Sequence, residues 1–221
     1  MTNEPVTVPS APSAPSAPAA PAAAPAGPPD PRPGFARALD QVDALVAAVT
    51  VADLGRPTPC EGWSVADLVG HLVGVEHRIV HILGGGDPAD VPAHADDVAP
   101  EDRPAAWTAA RPALEEAVAE DDLLDRIVTH PAGRMPGRIA LGIYTSELAT
   151  HGWDLAAALG RTDALDQDLA AAVLGPMTAA LPAEGRDDLP FGPVVEVADD
   201  AAPYDRLLGW LGRDPAWQPA G

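Results

Sequence analysis

Lysine is absent from this 221-residue chain: all 13 basic residues are arginine, set against 33 acids, for a formal net charge of −20. A surface so acidic repels the phosphates of nucleic acid and of anionic lipid, which removes both as default partners. The arginine-only basic set, with so much Ala, Pro and Gly, points to the coding bias of a high-GC genome, although an acidic, lysine-poor chain also fits a halophile. Aromatic residues are scarce at 4%, although hydrophobic residues reach 47%. A core built from Ala, Leu, Val and Ile suits close-packed helices better than a β-sandwich. Cysteine occurs once, at Cys60, which excludes an intrachain disulfide and a Cys-rich zinc ribbon. No apolar run approaches the roughly 20 residues of a membrane span. The first residues lack the basic and apolar regions of a secretory signal, so the expected compartment is the cytosol. The length suits one well-cored domain and a tail.

The tail is residues 1–34. Its repeated SAPSAPSAPAAP pattern forbids an α-helix and favours extended polyproline II. It offers too little apolar surface for a core and is expected to be a disordered spacer. From Phe35 the pattern is helical: Phe35, Leu39, Val42, Leu45, Val46 and Val49 share one face, and this helix is expected to end near Gly55. Ser64 with Asp67 forms a capping-box pattern ahead of a stripe of Val65, Leu68, Leu72, Val75, Ile79 and Leu83, which stops at Gly84. After an acidic, proline-bearing loop, a third helix is expected over 102–121, with Trp107, Leu114 and Val118 facing in. Residues 129–137, with two prolines and two glycines, read as a connection. A fourth helix over 138–159 ends at Gly160. An Ala-rich fifth over 164–181 carries Pro176, and a short extended stretch at 194–197 precedes a short helix at 203–211. The spacing predicts an all-α domain over 35–221: a four-helix bundle with additional short C-terminal elements.

The chemistry concentrates on the fourth helix. At about 100° per residue, Ile143, Tyr144, Leu148, Leu155 and Ala158 define its inward face. Glu147 and His151 fall in the middle of that face and Asp154 near its edge. Residues at i and i+4 stack one above the other. A carboxylate in a core costs several kcal/mol unless it is paired or protonated. Glu147 therefore needs a histidine, an arginine or a metal ion. For a metal, the third ligand of choice is His71, at the border of the apolar face of the second helix. His77 and His81 lie nearer its polar side, and His94 and His130 fall in expected loops. Two histidines and one carboxylate suit Zn²⁺, Fe²⁺ or Ni²⁺ and leave a coordination position open. Spacing alone leaves both this metal site and a satisfied core His–Glu pair standing. Trp63 and Trp153 read as packing residues. Cys60, near a helix N-terminus that would lower a thiol pKa, reads as structural because no basic residue adjoins it in sequence.

Two segments carry a family resemblance. TPCEGWSVADLVGHLVGVE (58–76) and ELATHGWDLAAALGR (147–161) resemble the signatures of the mycothiol-dependent maleylpyruvate isomerase family, of the DinB-like helical-bundle superfamily. FGPVVEVADDAAPYDRLLGWLGRDPAW (191–217) is similar to the end of an actinobacterial metal-binding subgroup. The resemblance spans residues 36–217. It implies a DinB-like bundle and a metal held by His71, Glu147 and His151. Asp154, which recurs in the second signature, is a candidate outer hydrogen-bond acceptor orienting a ligand, with a surface or helix-pairing role as the alternative. Zinc is the first choice of metal, with nickel or iron next. It also implies mycothiol as a low-molecular-weight thiol cosubstrate acting on a small electrophile, by transfer or isomerisation. The family's isomerases also carry a C-terminal domain for which this chain has no segment of comparable length. A non-enzymatic metal-binding or interaction module and a metal-dependent hydrolase are the alternatives.

Overall fold

The computed structural model describes residues 29–219 together with Met1, so most of the tail expected over 1–34 lies outside the described residues. Helix α1 (Arg32–Val46) begins inside the segment expected to be tail, with a proline in its first turn, where the missing N–H is no loss. Its stripe of Phe35, Leu39, Val42, Leu45 and Val46 is buried. It stops at Val46 and does not run on to Gly55. The chain instead makes a separate 3-10 turn at Val51–Asp53, because Thr50 commits its N–H and hydroxyl to Asp53 Oδ2 at 3.0 and 2.6 Å.

Helix α2 (Val65–Leu83) starts at the expected capping box. Ser64 Oγ accepts from the Asp67 N–H, while Asp67 Oδ2 accepts from the Ser64 N–H at 3.0 Å. Helix α3 (Arg103–Ala119) buries Trp107 and Leu114. The buried Arg103 guanidinium ties its start to α2 by donating to the Ala66 carbonyl at 2.7 Å, and to the preceding loop by donating to the Val98 carbonyl at 3.1 Å. Where a plain connection was expected, the chain forms an antiparallel hairpin, β1 (Ile127–His130) with β2 (Gly133–Pro136). The same prolines and glycines that signal a loop also make a tight turn, and four-residue strands are too short to display alternation.

Helix α4 (Gly137–Leu159) begins where Gly137 passes so close to Leu123 that a Cβ would stand 2.2 Å from that carbonyl oxygen. It ends at Gly160 with φ +70°, whose following residue, Arg161, donates back to the Ala156 carbonyl at 2.8 Å, the hydrogen-bond pattern of a Schellman cap. Helix α4 is the centre of the bundle: it packs along α1 and also meets α2, the hairpin and α5. The expected single inward face is therefore a correction: residues all round it are buried, while Ile143 is only partly so. Buried Thr145, Ser146 and Thr150 are accommodated because their hydroxyls donate to carbonyls three or four residues back, at 2.7–2.8 Å.

Helix α2 packs along α3 to close the four-helix arrangement, and α5 (Gln167–Ala180) and α6 (Pro203–Trp210) pack on each other beside it. The segment before α6 is extended but joins no sheet. Its residues 194–197 are tied to α6 by the Val195 N–H, which donates to the Gly209 carbonyl at 2.9 Å. The fold is all-α, with the hairpin as its only sheet among the described residues. No helix among them is long and apolar enough to cross a membrane.

Candidate metal centre

The α2–α4 interface brings His71, Glu147 and His151 together: one ligand-type atom from each lies within 4.8 Å of the others. His71 Nε2 stands 3.5 Å from Glu147 Oε1. The rings of His71 and His151 meet edge to face with centroids 4.9 Å apart.

The hydrogen bonds around the two imidazoles set their tautomers. His71 Nδ1 lies 3.0 Å from the Ala93 carbonyl oxygen. A carbonyl only accepts, so Nδ1 carries the proton and Nε2 presents a lone pair toward Glu147. His151 Nδ1 lies 2.9 Å from Asp154 Oδ2, which by the same logic leaves its Nε2 as a lone pair. Two imidazole lone pairs and a carboxylate thus share one half-buried pocket. Such an arrangement repels itself unless a proton or a cation occupies the middle. Tetrahedral ligands about 2 Å from a zinc stand roughly 3.3 Å apart, close to the His71–Glu147 spacing. When a proton occupies the middle, burial still pushes the Glu147 carboxyl upward, but a hydrogen bond from His71, then the charges of His151, His71 and His130, hold it below the usual glutamate value.

Asp154 is completely buried. Besides His151 it accepts from both nitrogens of an Arg213 fork, Nε to Oδ1 and Nη2 to Oδ2, each at 3.1 Å. Burial alone would raise its carboxyl. The His151 hydrogen bond and the Arg213 charge reverse that and lower it. Cys60 Sγ donates to the same Oδ2 at 3.1 Å. Burial first, then Asp154, pushes the thiol up to about 12. The lowering that a nearby helix N-terminus would give is thus outweighed, and Cys60 is a neutral donor. Cys60, His151 and Asp154 also form a metal-sized group. There, however, the Asp154 charge is already matched by Arg213 and the His151 Nδ1 proton points inward, so a cation is disfavoured.

One wall of the pocket is Trp63, whose ring lies 5.0 Å from that of His71 and stacks at 6.2 Å, 18° from parallel, on that of His151. His94 closes the same wall, 4.8 Å from Trp63 and 4.9 Å from His71. Beyond Glu147, buried His130 on β1 meets the Tyr144 ring at 5.0 Å. The His77 side chain is exposed, and His81 turns its Nε2 toward Asp90 at 3.5 Å, away from this centre. Sequence reasoning put His94 and His130 in loops and Trp63 in the core. It missed that they line the site, and it missed Arg213 altogether. The available signals were the recurrence of Trp63 within the first signature and the Gly-Arg pair just past α6.

The sequence profile of the mycothiol maleylpyruvate isomerase N-terminal domain matches residues 35–156. The chain belongs to that family. Two Mycobacterium tuberculosis relatives, the uncharacterized proteins MT0763 and Rv0738, are each 33% identical over 185 residues, which is 83% of this chain and 98% of theirs. Among solved structures, a mycothiol-dependent maleylpyruvate isomerase superposes with a TM-score of 0.55 at 15% identity, over 68% of each chain. A histidine-to-alanine mutant of that isomerase gives 0.54 over the same shares. At that identity the likeness is one of fold. The family match covers α1 through most of α4, and so includes His71, Glu147, His151 and Asp154.

Proposed function

We propose that this protein is a divalent-metal protein, zinc being the first choice and nickel or iron next, in which His71, Glu147 and His151 are the ligands. We further propose that it is a thiol-dependent transferase or isomerase of the cytosol, using mycothiol or a similar small thiol against a small electrophile. The observation that carries the reading is the convergence of a carboxylate with the lone pairs of two imidazoles whose other ring nitrogens are already committed. A divalent ion bound there would lower the pKa of a coordinated thiol as it does that of water, supplying a nucleophile at neutral pH.

The chain's own residues do the rest. The Ala93 carbonyl and Asp154 each hold an imidazole in the tautomer that points Nε2 at the pocket. Glu147 contributes the one negative charge of the ligand set, so a divalent cation is not fully neutralised and a thiolate is electrostatically favoured beside it. Trp63 and His94, packed edge to face, cover one side of the ligands. Asp154 acts on His151 and not on substrate.

The test is elemental analysis of the purified protein, followed by titration with mycothiol or a cysteine-based analogue and measurement of thiol loss with a generic electrophile. One equivalent of metal, thiol binding that vanishes on chelation, and metal-dependent thiol consumption are expected. Stoichiometric metal without thiol binding would leave a non-enzymatic metal-binding module. Absence of metal after loading with zinc, nickel and iron in turn would reject the site.

A further inference from the structure

We propose that Arg213 is a positioning residue of the metal centre, so that the C-terminal arm after α6 sets the orientation of His151 through Asp154. The inference rests on the metal reading above and extends it to a residue outside the segment that carries the family match.

The arm is built to deliver this side chain. Helix α6 ends in a Schellman turn: Arg213 N–H donates to the Leu208 carbonyl at 2.9 Å and Gly212 N–H to Gly209 at 3.2 Å, with Gly212 at φ +80°. A side chain at Gly212 would be strained by that φ. Its Cβ would also stand 2.6 Å from the backbone of Gly192, so two stretches of main chain are pressed together there. Arg186 holds the arm from the other side. It donates to Gly192 and Trp210 carbonyls at 3.2 and 2.5 Å, and its guanidinium lies 5.1 Å over the Trp210 ring. From this turn Arg213 reaches inward onto Asp154, with Cys60 Sγ 3.9 Å from its Nη2.

Arg213 meets both carboxylate oxygens, and this two-point contact fixes the plane of the Asp154 carboxylate as a single hydrogen bond cannot. With that plane fixed, Oδ2 stays in line with His151 Nδ1. The imidazole is then held in both tautomer and rotation, with Nε2 aimed at Glu147 and His71. The two histidines differ in this respect. His71 is oriented by a main-chain carbonyl, that of Ala93. His151 depends on a relay of two side chains, the second of which arrives 59 residues later in the chain.

The relay is tested by zinc affinity, measured by competition with a chromogenic chelator, and by the visible spectrum of the Co²⁺ form. The proteins are wild type, R213M, R213K, D154N and the D154N/R213M double variant. Loss of an outer-sphere partner of a metal-binding histidine typically weakens metal affinity by about 10–100-fold. R213M is expected at the low end of that range with a shifted cobalt band, and R213K, which keeps the charge but not the fork, is expected to recover part of the loss. The double variant should bind no more weakly than D154N alone, because Arg213 acts only through Asp154. A merely structural arginine would lower the melting temperature and leave the cobalt spectrum unmoved. Zinc affinity and cobalt spectrum matching wild type in R213M, or in R213K if R213M does not fold, overturn the inference while leaving the metal site intact. Wild-type protein that takes up no metal overturns both.

Discussion

Helix α2 carries His71 and Glu76 only five positions apart, about 140° round the helix, and the two sides have opposite electrostatics. On the His71 side, buried and half-buried polar groups face one another: two histidines, Glu147, Asp154 and Arg213 are tied by directed contacts. On the other side Glu76 is fully buried, and neither of its carboxylate oxygens has a partner among the described residues. The charges nearest it are Asp43 and Arg111, and Arg111 is already committed to Asp40, Asp43 and Glu115. Burial, reinforced by Asp43 and only partly opposed by Arg111, pushes the Glu76 carboxyl up to about 9. At neutral pH one side of α2 therefore holds ionised acids beside basic nitrogens, and the other a protonated acid. A buried carboxylate becomes a candidate ligand only where neighbouring atoms offer a cation or leave room for one.

The largest effect that would break this comparison is loss of the ligand set. His71→Ala, Glu147→Ala and His151→Ala are each expected to abolish stoichiometric metal, whereas His77→Ala and His81→Ala are expected to retain it. Glu147→Gln keeps the volume and should lose most of the affinity with helicity unchanged by circular dichroism. Full metal in His71→Ala, together with loss in His77→Ala or His81→Ala, would move the site to the outer side of α2.

Next comes the pH dependence created by Glu76. Its folded value lies above the ordinary glutamate value, so between the two the folded state holds a proton that the unfolded state has released. Stability from this group is complete below the unfolded value and is lost as pH rises toward about 9. At about 1.4 kcal/mol per pH unit, wild type should lose up to ~4 kcal/mol relative to Glu76→Gln between pH 5 and pH 8. Urea unfolding of the metal-free proteins at the two pH values measures the difference. Parallel stability curves would mean that Glu76 is not a protonated buried acid.

Two smaller effects sharpen the picture. Cys60, with its thiol held near 12, should react with iodoacetamide at pH 7.5 far more slowly than free cysteine, and its rate should match that of free cysteine only after denaturation. A rate equal to that of free cysteine in the native protein would show that Asp154 does not hold the thiol. Deletion of residues 2–28 should leave the melting temperature within a few degrees, since their composition offers no periodic apolar face. A larger drop would give that segment a place in the fold.

Much of the scaffold was legible because helices announce themselves through short-range patterns. Ser64 and Asp67 marked the start of α2, and the Phe35–Val46 stripe marked the buried side of α1. The end of α1 was misread because Thr50 and Asp53 form a local turn that competes with helix continuation. The β1–β2 hairpin was misread because loop and turn residues are the same residues. At the site, Glu147 and His151 stood out as polar residues amid apolar neighbours on one helix. Trp63, His94 and Arg213 did not, since nothing within their own segments separates a site wall from ordinary packing.

The order of helices, the capping box of α2, the glycine end of α4 and the stacking of Glu147 over His151 follow from the sequence by itself, because each depends on residues within a turn or two of one another. Which tautomer His71 adopts, that Asp154 is sealed off from water, that Cys60 is a neutral thiol and that Arg213 reaches across from the far end of the chain were decided only by the tertiary structure. Those properties depend on burial and on partners 22 to 94 residues away, separations that no local pattern encodes and that only the packed bundle brings within hydrogen-bond reach.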